Sequence, residues 1–384
     1  MHNRKLVFSA ACLGMLIFGI SFITLGSVVP ALKLRFGLDD LAAGALFSIL
    51  PLGILAGSLA FGPFCDKYGY KLLLVLSGIF LAAGFMGIAY AQTTGLLQGG
   101  VLLFGIGGGA MNGATNALTA DISDENKTAN LSLLGVCFGI GALGMPSLIG
   151  LLENHFAMPQ IVSMVGLLTL IISGYMASIR FPPAKHRQGF PIAQSLRLIK
   201  DPLLVGIAFF LFCQSSFEAL LNNWTTTYLS QVFVTSTREA LFALSLFVAG
   251  MTITRLLYGT VFRKAGTLQL LVAAFFLILI GTGLLGYSRQ FALAATGLFL
   301  LGAGLAGGFP IMLGIVGSSY RQLSATAFSF ALSIALLGNM LVNYFMGIVA
   351  HRYGIHQLIH FISGEWIAMT ILGFFILKKS RSIQ

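Results

Sequence analysis

The sequence predicts an all-α membrane protein with twelve transmembrane helices in two pseudo-symmetric six-helix bundles. Three observations carry that prediction. Of 384 residues, 57% are hydrophobic and 9% charged, whereas a soluble domain carries roughly a quarter charged residues. The apolar residues gather into twelve runs, each at about 20 residues long enough to cross a ~30 Å hydrocarbon core as a helix. The two halves of the chain also repeat one another's glycines. Because the runs are continuously apolar rather than alternating, they are not the spans of a β-barrel.

Arg4 and Lys5 precede span one (6–32), which has no clear cleavage site after a short core and reads as a retained helix, not a signal peptide. Span two (41–64) runs into "GPFCDKYGYK" (62–71), a short charged turn bracketed by glycines. Spans three and four cover 72–92 and 95–120, and the fourth carries "GIGGGAMNGATNA" (105–117). Such small residues let helices approach closely. Span five (129–152) contains "GIGALGMP", and span six (157–179) leads into a basic connection at 181–202. Within it, Ile192 to Ile199 is expected to lie as a short helix on the inner membrane surface. The expected division is therefore a bundle at 1–180, a cytoplasmic linker at 181–202 and a second bundle at 203–384. Span seven (203–229) holds "CQSSFEALLNNW" and span eight (240–262) holds Arg255. Spans nine and ten (267–287 and 291–319) are uncharged, span eleven (325–350) carries Asn339 and Asn343, and span twelve (357–377) carries Glu365.

A shift of 197 residues lays 1–187 on 198–384 without gaps and aligns nine glycine pairs, among them Gly53/Gly250, Gly62/Gly259 and Gly107/Gly304. Chance would align about three. The same shift places "GPFCDKYG" (62–69) on "GTVFRKAG" (259–266). Six spans per half means that both copies enter the membrane from the same side, the parallel repeat of some transporters.

The net charge of +11 reports topology rather than a nucleic-acid partner. With the N-terminus inside, inner segments hold sixteen basic residues and outer segments five, which is the positive-inside bias. An even span count places both termini in the cytoplasm. The expected location is the plasma membrane, or the inner membrane of a bacterium, with the lipid bilayer as partner and a monomer as the unit. Cys12, Cys65, Cys137 and Cys213 lie far apart, without metal or disulfide spacing. The histidines offer no metal pair within a span, apart from His356/His360 near the outer surface. No cofactor or metal is expected, and no nucleophile constellation or phosphate loop points to an enzyme.

A charged side chain in a bilayer core costs at least ~2.5 kcal/mol and usually faces a cavity or a partner. Glu218, Arg255 and Glu365 qualify. Glu218 lies about 22 Å along span seven. Gln214, Glu218 and Asn222, spaced i, i+4, i+8, share one helical face bordered by Asn223 and Trp224. This set suits a polyhydroxylated ligand: hydroxyls donate to the carboxylate, amides bond either way, and the indole covers an apolar sugar face. Glu218 is thus the expected substrate ligand and the coupling candidate, with H+ or Na+ as the ion. The alternative is an ion pair with Arg255, whose Cα lies about 10 Å away in depth. Arg255 itself is expected to snorkel inward or pair near the inner loop. Glu365 reads as a structural polar contact, with a proton-linked role as the alternative. Asn112, Thr115, Asn116 and Thr119 form a second polar stripe, and Asn339 with Asn343 a third. Helix–helix hydrogen bonds explain those stripes equally well.

In "GPFCDKYGYK", Gly62, Asp66, Lys67, Gly69 and Lys71 follow a set pattern: glycine, three residues, aspartate, a basic residue, then glycine and another basic residue. This resembles the loop 2–3 motif of the major facilitator superfamily. Twelve spans split after the sixth extend the resemblance over nearly the whole chain. It implies two six-helix bundles rocking around one site near mid-membrane, lined by spans four, seven and eleven among others. The loop is then a charged latch at the inner face, although Arg263 takes the aspartate position in the second copy. A narrower similarity links "NGATNALTADIS" (112–123), "NLSLLGVCFGIGALGMP" (130–146) and "FEALLNNWTTTYL" (217–229) to the fucose–galactose–glucose branch and related glucose carriers. Proton symporters of the fucose type carry carboxylates in spans one and four. The corresponding positions here are Gly26 and Asn112, so that coupling route is expected to be absent. The expected function is secondary transport of a small neutral polar solute, a monosaccharide above all. The runner-up is export of drug-like or other apolar molecules, since "GIGALGMP" loosely resembles the superfamily's exporter motif. An exporter calls for a cavity lined by Phe and Met, a sugar carrier for amides converging on Glu218.

Overall fold

The computed structural model describes residues 3–38, 40–123, 126–152, 154–183, 198 and 200–381. Apart from Leu198, the stretch expected as a surface helix lies outside the described residues. Hydrocarbon offers no water to backbone N–H and C=O groups, so apolar runs satisfy them internally as helices. The described helices are α1 (Arg4–Phe36), α2 (Asp40–Tyr68), α3 (Tyr70–Tyr90), α4 (Thr94–Ile122), α5 (Lys127–Leu152), α6 (Met158–Ser178), α7 (Pro202–Val232), α8 (Thr237–Gly259), α9 (Thr267–Tyr287), α10 (Phe291–Leu305), α11 (Gly308–Ser319), α12 (Ser324–Tyr353) and α13 (Gln357–Arg381). They supply twelve candidate membrane spans, because α10 and α11 together form the tenth, Phe291–Ser319. The chain is an all-helical multi-pass membrane protein.

Helix ends follow local chemistry. The Asn3 side chain accepts from the N–H groups of Lys5 (3.0 Å) and Leu6 (3.5 Å), so α1 begins ahead of the apolar run. Asp201 accepts from Leu203 N at 2.8 Å and Pro202 occupies the first helical position, where a missing N–H costs nothing. Only Gly69 separates α2 from α3, and its φ of 86° is a conformation that glycine reaches without strain. The tenth span departs from the sequence expectation of one unbroken helix. It turns at Ala306–Gly307, four residues before Pro310, which has no N–H to offer the Ala306 carbonyl.

By contacts the chain forms two compact units. Unit one comprises Met1–Ile122, Leu134–Leu196 and Tyr320–Phe330; unit two comprises Ser123–Leu133, Arg197–Ser319 and Ala331–Gln384. The first turns of α5 therefore pack with unit two and those of α12 with unit one, exchanges that a cut at 181–202 does not include. In unit one α4 is central, packed on α1, α2 and α3, while α3 also packs on α6. Phe85 and Phe104 meet edge-on there, with centroids 4.7 Å apart. In unit two α10 packs on α8 and α9, and α7 packs on α8 and α13.

The glycine repeat is a repeat of crossings. A Cβ added at Gly107 would lie 2.8 Å from the Ser77 carbonyl oxygen, and one added at Gly304 would lie 2.8 Å from that of Ala274. Ser77 and Ala274 are themselves 197 residues apart, so the α3–α4 crossing recurs as the α9–α10 crossing. Gly107→Leu and Gly304→Leu are each expected to lower thermal stability in detergent, since overpacking costs about 1–3 kcal/mol. Gly99, with nothing within 4 Å of an added Cβ, supplies the control, and Gly99→Leu should melt as the parent does. A Gly107 or Gly304 variant that melts like that control would remove this account of the repeat.

Candidate functional site

The polar face of α7 is built around Gln214, which is fully buried in unit two. Its Nε2 donates to Glu218 Oε1 at 2.7 Å and to the carbonyl of Leu305 at 2.8 Å. Leu305 is the last residue of α10, so the break in the tenth span frees the carbonyl that Gln214 takes up. Gly308 leaves the room: a Cβ there would collide with the Gln214 amide. Arg255 Nη2 of α8 stands 3.8 Å from Glu218 Oε1, with the two side chains 12% and 19% exposed respectively. The snorkelling expected of Arg255 is thus replaced by an ion pair, because α8 turns that residue toward α7 and the two long side chains span the difference in depth.

The next turn of α7 forms a second cluster with α12. Asn223 Nδ2 donates to Asn343 Oδ1 at 3.0 Å, and the Trp224 indole N–H donates to the same oxygen at 3.2 Å. Asn343 Nδ2 in turn donates to the Asn339 carbonyl at 2.8 Å. Asn222, placed by periodicity on the Glu218 face, turns its amide to the Glu218 backbone carbonyl at 2.8 Å and is exposed. The structure therefore joins Gln214 with Glu218, and Asn223 and Trp224 with Asn343. Asn339 enters only through its carbonyl.

On the side of α7 opposite Glu218, the Ser216 hydroxyl is hydrogen-bonded to Glu365 Oε1 of α13. Periodicity gave no hint of that pairing, because Ser216 reads as an ordinary small helix residue. His360 is exposed, and Ser363 bonds back to the Ile359 carbonyl at 2.6 Å. No group of three or more metal-ligating side chains occurs among the described residues.

In unit one the α4 stripe largely satisfies itself. Asn116 Nδ2 donates to the carbonyl and the side-chain oxygen of Asn112 at 2.9 and 3.0 Å, and Thr115 Oγ1 bonds back to Met111 O at 2.9 Å. Gly26 on α1 has nothing within 4 Å of an added Cβ. The sequence reading passed over an aromatic group nearby in the chain. Phe18 and Phe22 of α1 and Phe138 of α5 have centroids 5.5 to 6.0 Å apart, and Phe22 is 41% exposed. The i, i+4 spacing of Phe18 and Phe22 was the available signal.

The "GPFCDKYGYK" turn also lies in unit one. Asp66 is 2% exposed, and its Oδ2 accepts from the Thr326 N–H at 3.0 Å and the Thr326 hydroxyl at 2.6 Å. A buried carboxylate thus caps the first turn of α12, where orphan N–H groups and the helix dipole favour negative charge. Gly62 lies against Thr326 and Ser329, closer than any Cβ permits. Lys67 sits 5.0 Å from the Tyr68 ring centroid, and Lys71 is exposed.

Comparison with known proteins agrees with this architecture. The family model of the Major Facilitator Superfamily matches residues 11–331. The chain belongs to that superfamily. The glucose/mannose transporter GlcP of Bacillus subtilis is 23% identical over 86% of this chain and 84% of its own length. The 4-hydroxybenzoate transporter PcaK of Pseudomonas aeruginosa is 30% identical, but over only 40% of this chain and 35% of PcaK. Among solved structures, the E. coli fucose:proton symporter FucP aligns with a TM-score of 0.81 at 15% identity, covering 96% of this chain and 98% of FucP. That likeness shows the fold alone. As a superfamily member the protein is a transporter, with twelve candidate helical spans among the described residues.

Asp66→Asn keeps a hydrogen-bond acceptor but removes the charge at the start of α12. It should cost about 1 kcal/mol of stability, read as a lower melting temperature in detergent. An unchanged melting temperature would mean that the carboxylate acts on α12 through shape alone.

Proposed function

We propose that this superfamily member is a secondary active transporter of a small neutral polar solute, a monosaccharide, working by alternating access in the plasma membrane with both termini cytoplasmic. The observation that carries the reading is the run of carboxylate, amides and indole along α7 and α12 in unit two. Glu218 has one oxygen engaged by Gln214 and Arg255, while Oε2 accepts no hydrogen bond among the described residues and is available to a sugar hydroxyl. Asn222 and Asn223 are exposed and offer both donors and acceptors. Trp224 is held by its N–H to Asn343, which fixes the plane of a ring suited to an apolar sugar face. Arg255 is neutralised by Glu218, so the face is not arranged as an anion clamp. GlcP and FucP, by their names carriers of monosaccharides, lend support to the substrate class.

A second reading rests on Phe18, Phe22 and Phe138. Three adjoining rings with one exposed suit an aromatic or drug-like solute, and PcaK is named for an aromatic acid. Export of apolar compounds is the alternative that these rings favour.

Uptake of a panel of labelled monosaccharides into proteoliposomes, against a panel of aromatic acids and fluorescent dyes, separates the readings. Glu218→Gln should lose at least about 90% of sugar uptake, as expected when a charged hydrogen-bond acceptor worth some 1.5–3 kcal/mol is removed. Gly308→Ala, which displaces the Gln214 amide, should raise KM. Movement of dyes but no sugar, with the Glu218 variant indistinguishable from the parent, would sink the sugar reading.

A further inference from the structure

Glu365 plays no part in the face described above, and its surroundings are unlike those of Glu218. It belongs to α13, which packs against α7 and α9. Its Oε1 meets the Ser216 hydroxyl at the middle of α7, and its Oε2 is buried with no hydrogen-bond partner among the described residues. Ser216 is itself fully buried. Glu218 has a cation and an amide; among the described residues Glu365 has neither. From α7 the ionisable group beside it is the Cys213 thiol. α9 contributes no ionisable side chain except Tyr287, which is 83% exposed at that helix's end. On α13 the exposed His360 is five residues away, and Lys378, Lys379 and Arg381 lie at the far end. Glu218 is two residues from Ser216 along α7, some 200° around the helix at 100° per residue, so it points elsewhere.

Ser216 Oγ lies 2.9 Å from the Phe212 carbonyl oxygen and 3.0 Å from that of Cys213, both of which only accept. A hydroxyl has a single hydrogen to give. Facing an ionised Glu365, that hydrogen must abandon the backbone, and the second carboxylate oxygen still goes unmet. With a proton on Oε1 the conflict vanishes. The carboxyl O–H donates to Ser216 Oγ, the Ser216 hydrogen goes to its own helix carbonyls, and only a neutral C=O is left without a partner. A buried neutral acid is far cheaper than a buried anion lacking a counter-charge.

We propose that Glu365 and Ser216 form a proton-binding site on the side of α7 opposite Glu218, and that this is the site of the coupling proton. The ion-coupled part rests on the transporter reading above. Binding adds one proton from solvent to Glu365 and removes one buried charge; release restores it. The same helix carries Glu218 opposite the Glu365 contact, and Asn223, two turns on from Ser216, on the side of that contact. A change of charge at Glu365 therefore acts on the position of α7, and so on the sugar-binding side chains.

Infrared difference spectroscopy of the protein in lipid at neutral pH tests the site without any substrate. The parent and Glu218→Gln should both show the carbonyl stretch of a protonated carboxylic acid, shifted by deuterium exchange, and Glu365→Gln should lose it. Ser216→Ala, a milder change, should retain the band but move its frequency, since the acid's hydrogen-bond partner is gone. A band that survives in Glu365→Gln, that disappears in Glu218→Gln instead, or that is indifferent to Ser216→Ala overturns the site. The coupling role is then read as alkalinisation of the medium when a transported monosaccharide is added to proteoliposomes. Glu365→Gln should abolish this signal, and alkalinisation at the parental rate in that variant overturns the role. If no sugar moves at all, the sugar reading fails by itself while the infrared result still decides the proton site.

Discussion

Hydrocarbon has no water to offer a peptide group, and that constraint reaches from the fold into the candidate site. It makes every apolar run a helix and leaves helix–helix association to close packing, since lipid is as apolar as leucine. Carbonyl oxygens then lie where a Cβ would otherwise be, as at Gly107 and Gly304. Where the ladder is interrupted, something must replace the lost bond. At the turn between α10 and α11 the replacement is Gln214, whose amide takes the Leu305 carbonyl and with the same nitrogen holds Glu218. A repair to the backbone thus orients the most conspicuous acid in the membrane.

α7 is consequently more than a wall of the site. One side holds Glu218 between an amide and a guanidinium; another meets Glu365 through a single hydroxyl. The two acids differ in compensation. Glu218 has an amide and a guanidinium beside it, whereas among the described residues Glu365 has only a neutral partner and an orphan oxygen. On the proposed reading, environments this different on one helix would let a ligand and a proton act without competing for the same atoms.

The repeat is broken where charge meets helix ends. Asp66 caps the first turn of α12, and the equivalent residue of the second half, Arg263, instead donates to Asn130 Oδ1 of α5 at 3.4 Å. A cation cannot cap a helix N-terminus. Lys127 works at the opposite pole, donating to the Gly317 carbonyl at 2.8 Å in the last turn of α11, where the dipole favours positive charge. Duplicated packing has thus survived with different electrostatics at the helix ends. The charged turn therefore keeps its aspartate cap in one half only.

Hydropathy and periodicity by themselves determined that this chain spans a membrane twelve times and that its halves repeat, because span length and glycine spacing follow from bilayer thickness and helix geometry. They also singled out Glu218, Arg255 and Glu365, since a charge in an oily run is visible without coordinates. Only the tertiary structure decided which partners those charges have. The Glu218–Arg255 pair depends on how α8 is turned, and the Glu365–Ser216 contact joins residues 149 positions apart. Asn222, on the expected face by count, spends its amide on its own backbone, while Asn343 gathers Asn223 and Trp224. The bend of the tenth span and the exchanged first turns of α5 and α12 were equally hidden. Helical periodicity fixes which side of a helix a residue occupies, but rotation about the axis and the neighbour it meets are set by packing between helices.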